Sequence, residues 1–389
     1  MPKPGFNPLV ANLVAPPIPV VQAWARAYDG AYGRLIDLSQ AVPGYPPHPD
    51  LLRWLAEAAG SPAFAGYGAI EGDQALRGAY ADHVTSTYGA PLSSANIHLT
   101  AGCNQAFVVA AMTVAGRGDA VLMTNPGYFN HEATLQMLGI EPRYVDCRAE
   151  DGFVPRVDDV AQALDGVKAL ALVSPNNPTG AVYPPALLED IFVLCRERGV
   201  WLILDETYRD FIATGAGRPH GLFEIAGWEE NLIQLYSFSK SFCIPGHRLG
   251  AVTAGNCVVS AIAGVMDNLQ ICAPRAPQQA VAKGLAALAG WREENRLEIE
   301  RRAAAMRGAF AAIPGWELQA IGAYFAFVRH PVEGAGSAQV AERLARELGL
   351  VTLPGSAFGK GLDRYLRVAF ANVEVEQIGE VAGRLSLME

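Results

Sequence analysis

The feature that most constrains this chain is a rhythm between residues 97 and 254. Seven short β-rich runs lie there: Ile97–Thr100, Ala120–Thr124, Pro142–Asp146, Ala169–Ser174, Val200–Asp205, Leu232–Ser237 and Leu249–Ala254. Helix-period stretches separate several of them, near Asn104–Ala115, Asn130–Leu138, Val157–Leu164 and Pro185–Arg198. A strand with one wet face alternates apolar and polar residues. A strand that is apolar almost throughout is covered on both faces, as parallel strands joined by crossover helices are. The expectation is an α/β fold, with a large domain whose mostly parallel seven-stranded sheet is covered by helices. Hydrophobic residues make up 51% of the chain and charged ones only 18%, enough apolar material to cover a sheet twice.

After about residue 277 the rhythm changes. Gln278–Leu288 and Trp291–Ala312 read as helices. An apolar run (Gly322–Val328), a helix (Ser337–Leu348) and short strands at Leu350–Leu353 and Tyr365–Phe370 follow. This pattern predicts a smaller α+β domain. We therefore divide the 389 residues into a proline-rich segment at 1–49, a large domain at 50–285 and a small domain at 286–389. The first segment is too short to fold alone and is expected to pack on the small domain, on a partner subunit, or on both.

Charge and composition narrow the function. A net charge of −9 lacks the basic footprint of a nucleic-acid or anionic-membrane binder. No apolar run reaches the roughly 18 residues of a bilayer span. The apolar start is interrupted by Pro8, Pro16, Pro17 and Pro19, so no signal peptide is expected. Six cysteines form no CxxC pair and read as reduced thiols of a cytoplasmic protein. The histidines show no HExxH spacing, and no metal site is expected.

Arginine carries nearly all the positive charge, because only five lysines occur: Lys3, Lys168, Lys240, Lys283 and Lys360. Lys240 follows an apolar run and lies between Phe238 and Phe242. Burial there disfavours the ammonium form, and a neutral amine is a nucleophile that can form a Schiff base. Ser237 and Arg248 on either side suit a phosphate. The run Val200–Asp205 delivers Asp205 at a strand's carboxyl end, where open α/β sheets bind ligands; in isolation it would read equally well as a helix N-cap. Ser174-Pro175-Asn176-Asn177-Pro178-Thr179-Gly180 leaves another strand as a turn. Thr100-Ala101-Gly102-Cys103-Asn104 passes from strand to small-residue turn to helix start, a geometry whose backbone N–H groups bind phosphate.

Together these segments resemble the fold-type I pyridoxal-phosphate enzymes and, within them, the class I/II aminotransferases, over roughly residues 34–372. The resemblance rests on the combination of NNPTG, SFSK followed by GHRLG, and D-E-x-Y placed 32 residues before the lysine. It implies a transfer of the amino group from an L-amino acid to a 2-oxo acid. Lys240 would be the Schiff-base lysine and the amine that moves the substrate proton. Asp205 would pair with the pyridine nitrogen of pyridoxal 5'-phosphate, Tyr208 and Asn177 would bond its phenolic oxygen, and Tyr128 would stack on its ring. Gly102, Cys103, Asn104, Ser237, Ser239 and Arg248 would form the phosphate cup. Tyr67 would reach the phosphate from the partner subunit of a homodimer with shared active sites. Arg367 would grip the substrate α-carboxylate with a planar fork that lysine cannot reproduce, and Gly44 and Asn177 would border the substrate.

Two departures stand out. Cys103-Asn104 replaces the Gly or Ser with Thr that many relatives carry, and no second arginine can be placed for a side-chain carboxylate. A β/γ-lyase on the same scaffold uses the same lysine, aspartate and arginine, and is the alternative reading. A non-catalytic regulator with this fold is the remote one. It would carry a DNA-binding module ahead of the fold, whereas the 49 leading residues hold only Lys3, Arg26 and Arg34 as basic side chains.

Overall fold

The computed structural model describes residues 5–388. The seven runs form one sheet: β1 (Ile97–Thr100), β2 (Ala120–Asn125), β3 (Glu141–Asp146), β4 (Ala169–Val173), β5 (Trp201–Asp205), β6 (Leu232–Ser237) and β7 (Gly250–Ala254). Their spatial order is β1-β7-β6-β5-β4-β2-β3, and only β7 runs against the other six. The strand period of two sends Leu170, Leu172, Leu202 and Leu204 into one core, and Ala169, Ala171, Ile203 and Ile233 into another on the opposite face. Both faces of the central strands are buried, which is why they read as unbroken apolar runs, whereas the edge strand β3 is largely exposed. The parallel strands end on one rim, and Asp205, Ser237 and the 174–180 turn all leave from it.

A second sheet is antiparallel, with β8 (Glu317–Gly322), β9 (Phe325–Arg329), β10 (Leu353–Pro354) and β11 (Tyr365–Ala369) in the order β10-β11-β9-β8. The apolar run 322–328 is not one strand. It contains a hairpin turn at Ala323-Tyr324, where Ala323 adopts φ +45° and no polar turn residue marks the reversal. The stretch 350–353 is also divided. Leu350–Val351 pairs in parallel with Ile36–Asp37, while Leu353 joins the antiparallel sheet. Ile36 and Leu38 thereby enter the core formed by Phe325, Val328, Leu366 and Ile299, which ties the early chain to the second sheet.

Candidate active site

The rim of the large sheet holds a cavity of about 150 Å³, lined by Cys103, Asn104, Tyr128, Asn177, Asp205, Thr207, Tyr208, Ser237, Ser239, Lys240 and Arg248 among others. Lys240 sits on a single helical turn, α3 (Phe238–Ser241), directly after β6. Ser237 caps that turn by accepting from the Ser239 amide at 3.3 Å. Four residues are too few for helical propensity to hold them. The turn is held instead by Phe238 and Phe242, both fully buried. Burial, with the nearby charges of Arg367 and Arg248, lowers the Lys240 ammonium to about 8, so about a tenth of it is neutral at pH 7. Its Nζ donates to the carbonyl of Ala41.

Asp205 ends β5 and is buried. Burial alone would raise its carboxyl, but His131 Nε2 at 3.2 Å and the Thr207 amide at 2.9 Å outweigh that, and the net shift is downward. His131 belongs to helix α2 (Phe129–Leu138), and its ring stacks on Phe107 at 3.7 Å. Across the rim, Arg367 of β11 is 2% exposed. It donates to Asn177 Oδ1 at 2.9 Å and to the Ser39 carbonyl, and its Nε has no partner. Burial lowers it to about 10. Among the described residues no carboxylate lies within ion-pair distance of it, so this guanidinium lacks a counter-anion.

The turn after β4 is locked by Asn176, whose Oδ1 accepts from the Thr179 amide at 3.2 Å and from its hydroxyl at 2.9 Å. Gly180 at φ +76° meets the second sheet, where a Cβ would lie 2.5 Å from Gly322 N and Phe325 O. This close approach lets Arg367, carried by the second sheet, reach Asn177, carried by the first.

A buried amine, a carboxylate kept ionised and a guanidinium without an anion converge at one rim. The sequence pattern of the family described as aminotransferase class I and II matches residues 34–385. The chain belongs to that family. It is 28% identical over 373 residues to an aromatic aminotransferase of Arabidopsis thaliana, covering 94% of this chain and 92% of the relative. It is 28% identical over 327 residues to an arginine–pyruvate transaminase of Pseudomonas aeruginosa, covering 82% and 81%. The crystal structure of an aromatic aminotransferase from Pyrococcus horikoshii superposes with a TM-score of 0.84 at 27% identity, covering 94% of this chain and 98% of that one. The chain is thus a pyridoxal-phosphate-dependent aminotransferase, with amino acids and 2-oxo acids as its substrate classes.

The aminotransferase's own residues fit that cofactor. Helix α1 (Cys103–Val114) begins in the cavity without a side-chain cap, leaving first-turn amides free for an anion. Gly102 at φ +85° packs against the Arg248 guanidinium, whose Cζ would lie 2.8 Å from a Cβ there. The buried Ser239 hydroxyl has no partner. Two arms of Arg248 reach only backbone carbonyls, Pro245 O at 3.0 Å and Ala101 O at 3.4 Å. These are donors waiting for an anion, as a phosphate cup requires.

Of the residues singled out by sequence, the aminotransferase brings all but four to the cavity wall; Gly102 stands just behind it, as the N-cap of α1. Arg367 approaches it through Asn177. Tyr67 is 80% exposed and does not line this chain's own cavity. Gly44 spends its amide on Ala371 O at 3.0 Å and is wedged against Arg302 and Asn372. The residues of that loop that touch the site are Ser39 and Ala41, through their carbonyls. Sequence reasoning also missed His131 and Thr207. Only position could have flagged them: His131 lies three residues after Tyr128, and Thr207 two after Asp205.

Proposed function

We propose that this aminotransferase works through Lys240, with Asp205 and Arg367 as its two fixed electrostatic partners. The carrying observation is the Lys240 amine, buried and lowered to about 8 in the same cavity as Asp205 and Arg248. When bound, pyridoxal phosphate supplies an aldehyde carbon and an electron-accepting ring. In our reading, Lys240 is the point of covalent attachment and the base that carries a proton from the substrate Cα and returns it. Asp205, held ionised by His131 and Thr207, would pair with the ring nitrogen. Tyr128 would hold the ring by stacking, and Tyr208 and Asn177 would hydrogen-bond its phenolic oxygen. Arg367 exchanges neutral partners for the substrate's carboxylate, which fixes the orientation of the Cα bonds.

Supporting a homodimer, Tyr67 and Phe6 are large side chains left exposed at 80% and 89%. We propose that Tyr67 completes the phosphate site of a second copy. We likewise assign residues 50–285 and 286–389 to large and small domains, with 1–49 on the small domain or the partner. Six unpaired cysteines fit a reducing, cytoplasmic setting. Relatives named for aromatic and arginine donors leave the donor open.

Borohydride reduction of the holoenzyme, followed by peptide mapping, tests the central assignment. The cofactor is expected on the peptide containing Lys240, and a label on any other lysine overturns it.

A further inference from the structure

A second cavity, of about 760 Å³, lies beside the first and shares no lining residue with it. Its walls come from the segment Val14–Pro17, from α2, from the edge strand β3 and from the turn around 356–361. Packed side chains separate the two spaces and link their walls. The Arg367 guanidinium lies over the Phe358 ring at 5.1 Å, and Phe358 packs at 5.6 Å on Phe129, which lines the larger cavity. Asn130, also on that wall, donates at 2.7 Å to the hydroxyl of Tyr128, whose ring lines the smaller one.

The chemistry of the larger cavity is lopsided. Pro16, Pro17, Phe129 and Ala133 give it an apolar wall, and its charged residues are Glu132, Asp146 and Lys360. Gln136 donates to Glu132 at 2.9 Å, and Asn125 donates to Asp146 at 2.8 Å and to the Lys360 carbonyl at 3.1 Å. The Oδ1 of Asn125 is sealed against Gly359, so the acceptors offered to the cavity are the two carboxylates. Two carboxylates against one ammonium make a surplus of acceptors. The volume suits a long side chain better than that of aspartate.

We propose that this cavity receives the side chain of the amino donor, and that it selects long side chains ending in hydrogen-bond donors, arginine foremost, over carboxylate-ended ones. The inference rests on the assignment of Arg367 to the α-carboxylate. An apolar stem passes the Phe358–Phe129 partition, and the donor-rich end meets Glu132 and Asp146. A carboxylate end meets like charge there.

The test is the half-reaction of the holoenzyme, followed by the spectral change of its bound cofactor with alanine, norleucine, arginine and glutamate. The expected order of kcat/KM is arginine, then norleucine, then glutamate, with arginine at least about 10-fold above glutamate. Ala133→Trp, which fills the cavity, is expected to cut kcat/KM for arginine about 10-fold or more and to leave alanine within about twofold, so alanine controls for folding. Glu132→Gln should reduce the preference for arginine over norleucine about fivefold. Glutamate equal to or above arginine, with that preference lost in Lys360→Ala, overturns the proposal. So does an Ala133→Trp enzyme that changes all donors equally or none. Silence with every donor, alanine included, instead fells the transamination assignment on which the proposal rests.

Discussion

Lys240 and Arg367 are cations placed where water cannot stabilise them, and this makes both of them testable. An amine whose folded value is about 8, against 10.5 when free, binds fewer protons folded than unfolded between those pH values. Stability of the cofactor-free protein should therefore rise with pH across that window. Urea melts at pH 7.5 and 9.5 should show this as a gain of about 2 kcal/mol over the same pair of melts for Lys240→Met, whose side chain does not titrate. Arg367→Lys keeps a charge but loses the planar fork that bonds Asn177 and Ser39, so KM for amino acid donors should rise about 10- to 100-fold. Steady-state kinetics checks it. Lys240 and Asp205 were legible in sequence because each sits in a local pattern of turn and apolar residues, and Arg367 through the resemblance to the family. His131 was not. Its use comes from stacking on Phe107 and reaching Asp205, and both neighbours are distant in the chain.

Short elements near the site depend on tertiary supports. The one-turn α3 is braced from behind by Tyr236, whose hydroxyl donates to Asp210 at 2.5 Å and accepts from Ser241, the residue after Lys240, at 2.8 Å. Asp210 follows Asp205 on the next turn of chain, so this bond joins the segment carrying the carboxylate to the segment carrying the amine. Tyr236→Phe leaves the part-buried Asp210 without its closest donor and should cost about 1 kcal/mol, read from chemical denaturation. Gly180→Ala places a Cβ against the backbone of Gly322 and Phe325 at a positive φ. It should destabilise by at least about 1 kcal/mol and weaken donor binding together with stability, since Arg367 meets Asn177 across that contact. The sheet strands were legible to within about a residue, because full burial leaves an apolar signature on both faces. The 317–329 hairpin was not, because its reversal at Ala323 uses no residue type that announces a turn.

At the scale of the whole molecule, the active site is assembled from parts that meet late. Ser39 and Ala41, near the start of the chain, reach Arg367 and Lys240 in two different sheets' territory. Tyr67 stands outside the cavity of its own chain. If a second copy completes the site, sedimentation should give twice the 41.4 kDa of one chain. Mixing Lys240→Ala chains with Tyr67→Ala chains should then restore activity above either alone, because one site of each mixed dimer has both residues intact. Absence of that rescue, with dimers present, separates Tyr67 from the partner's site.

By itself the sequence determined the sheet, its two buried faces and the identity of the residues that leave its rim. Hydrophobic periodicity and turn chemistry are local, and a parallel sheet turns them directly into strand ends that carry function. The tertiary structure alone decided which loop carbonyls meet the two cations, that His131 supports Asp205, and that a large cavity with a surplus of carboxylates lies beyond Phe358 and Phe129 from Arg367. Those facts depend on contacts between residues tens to hundreds of positions apart. Packing brings such residues together, and no local pattern records it.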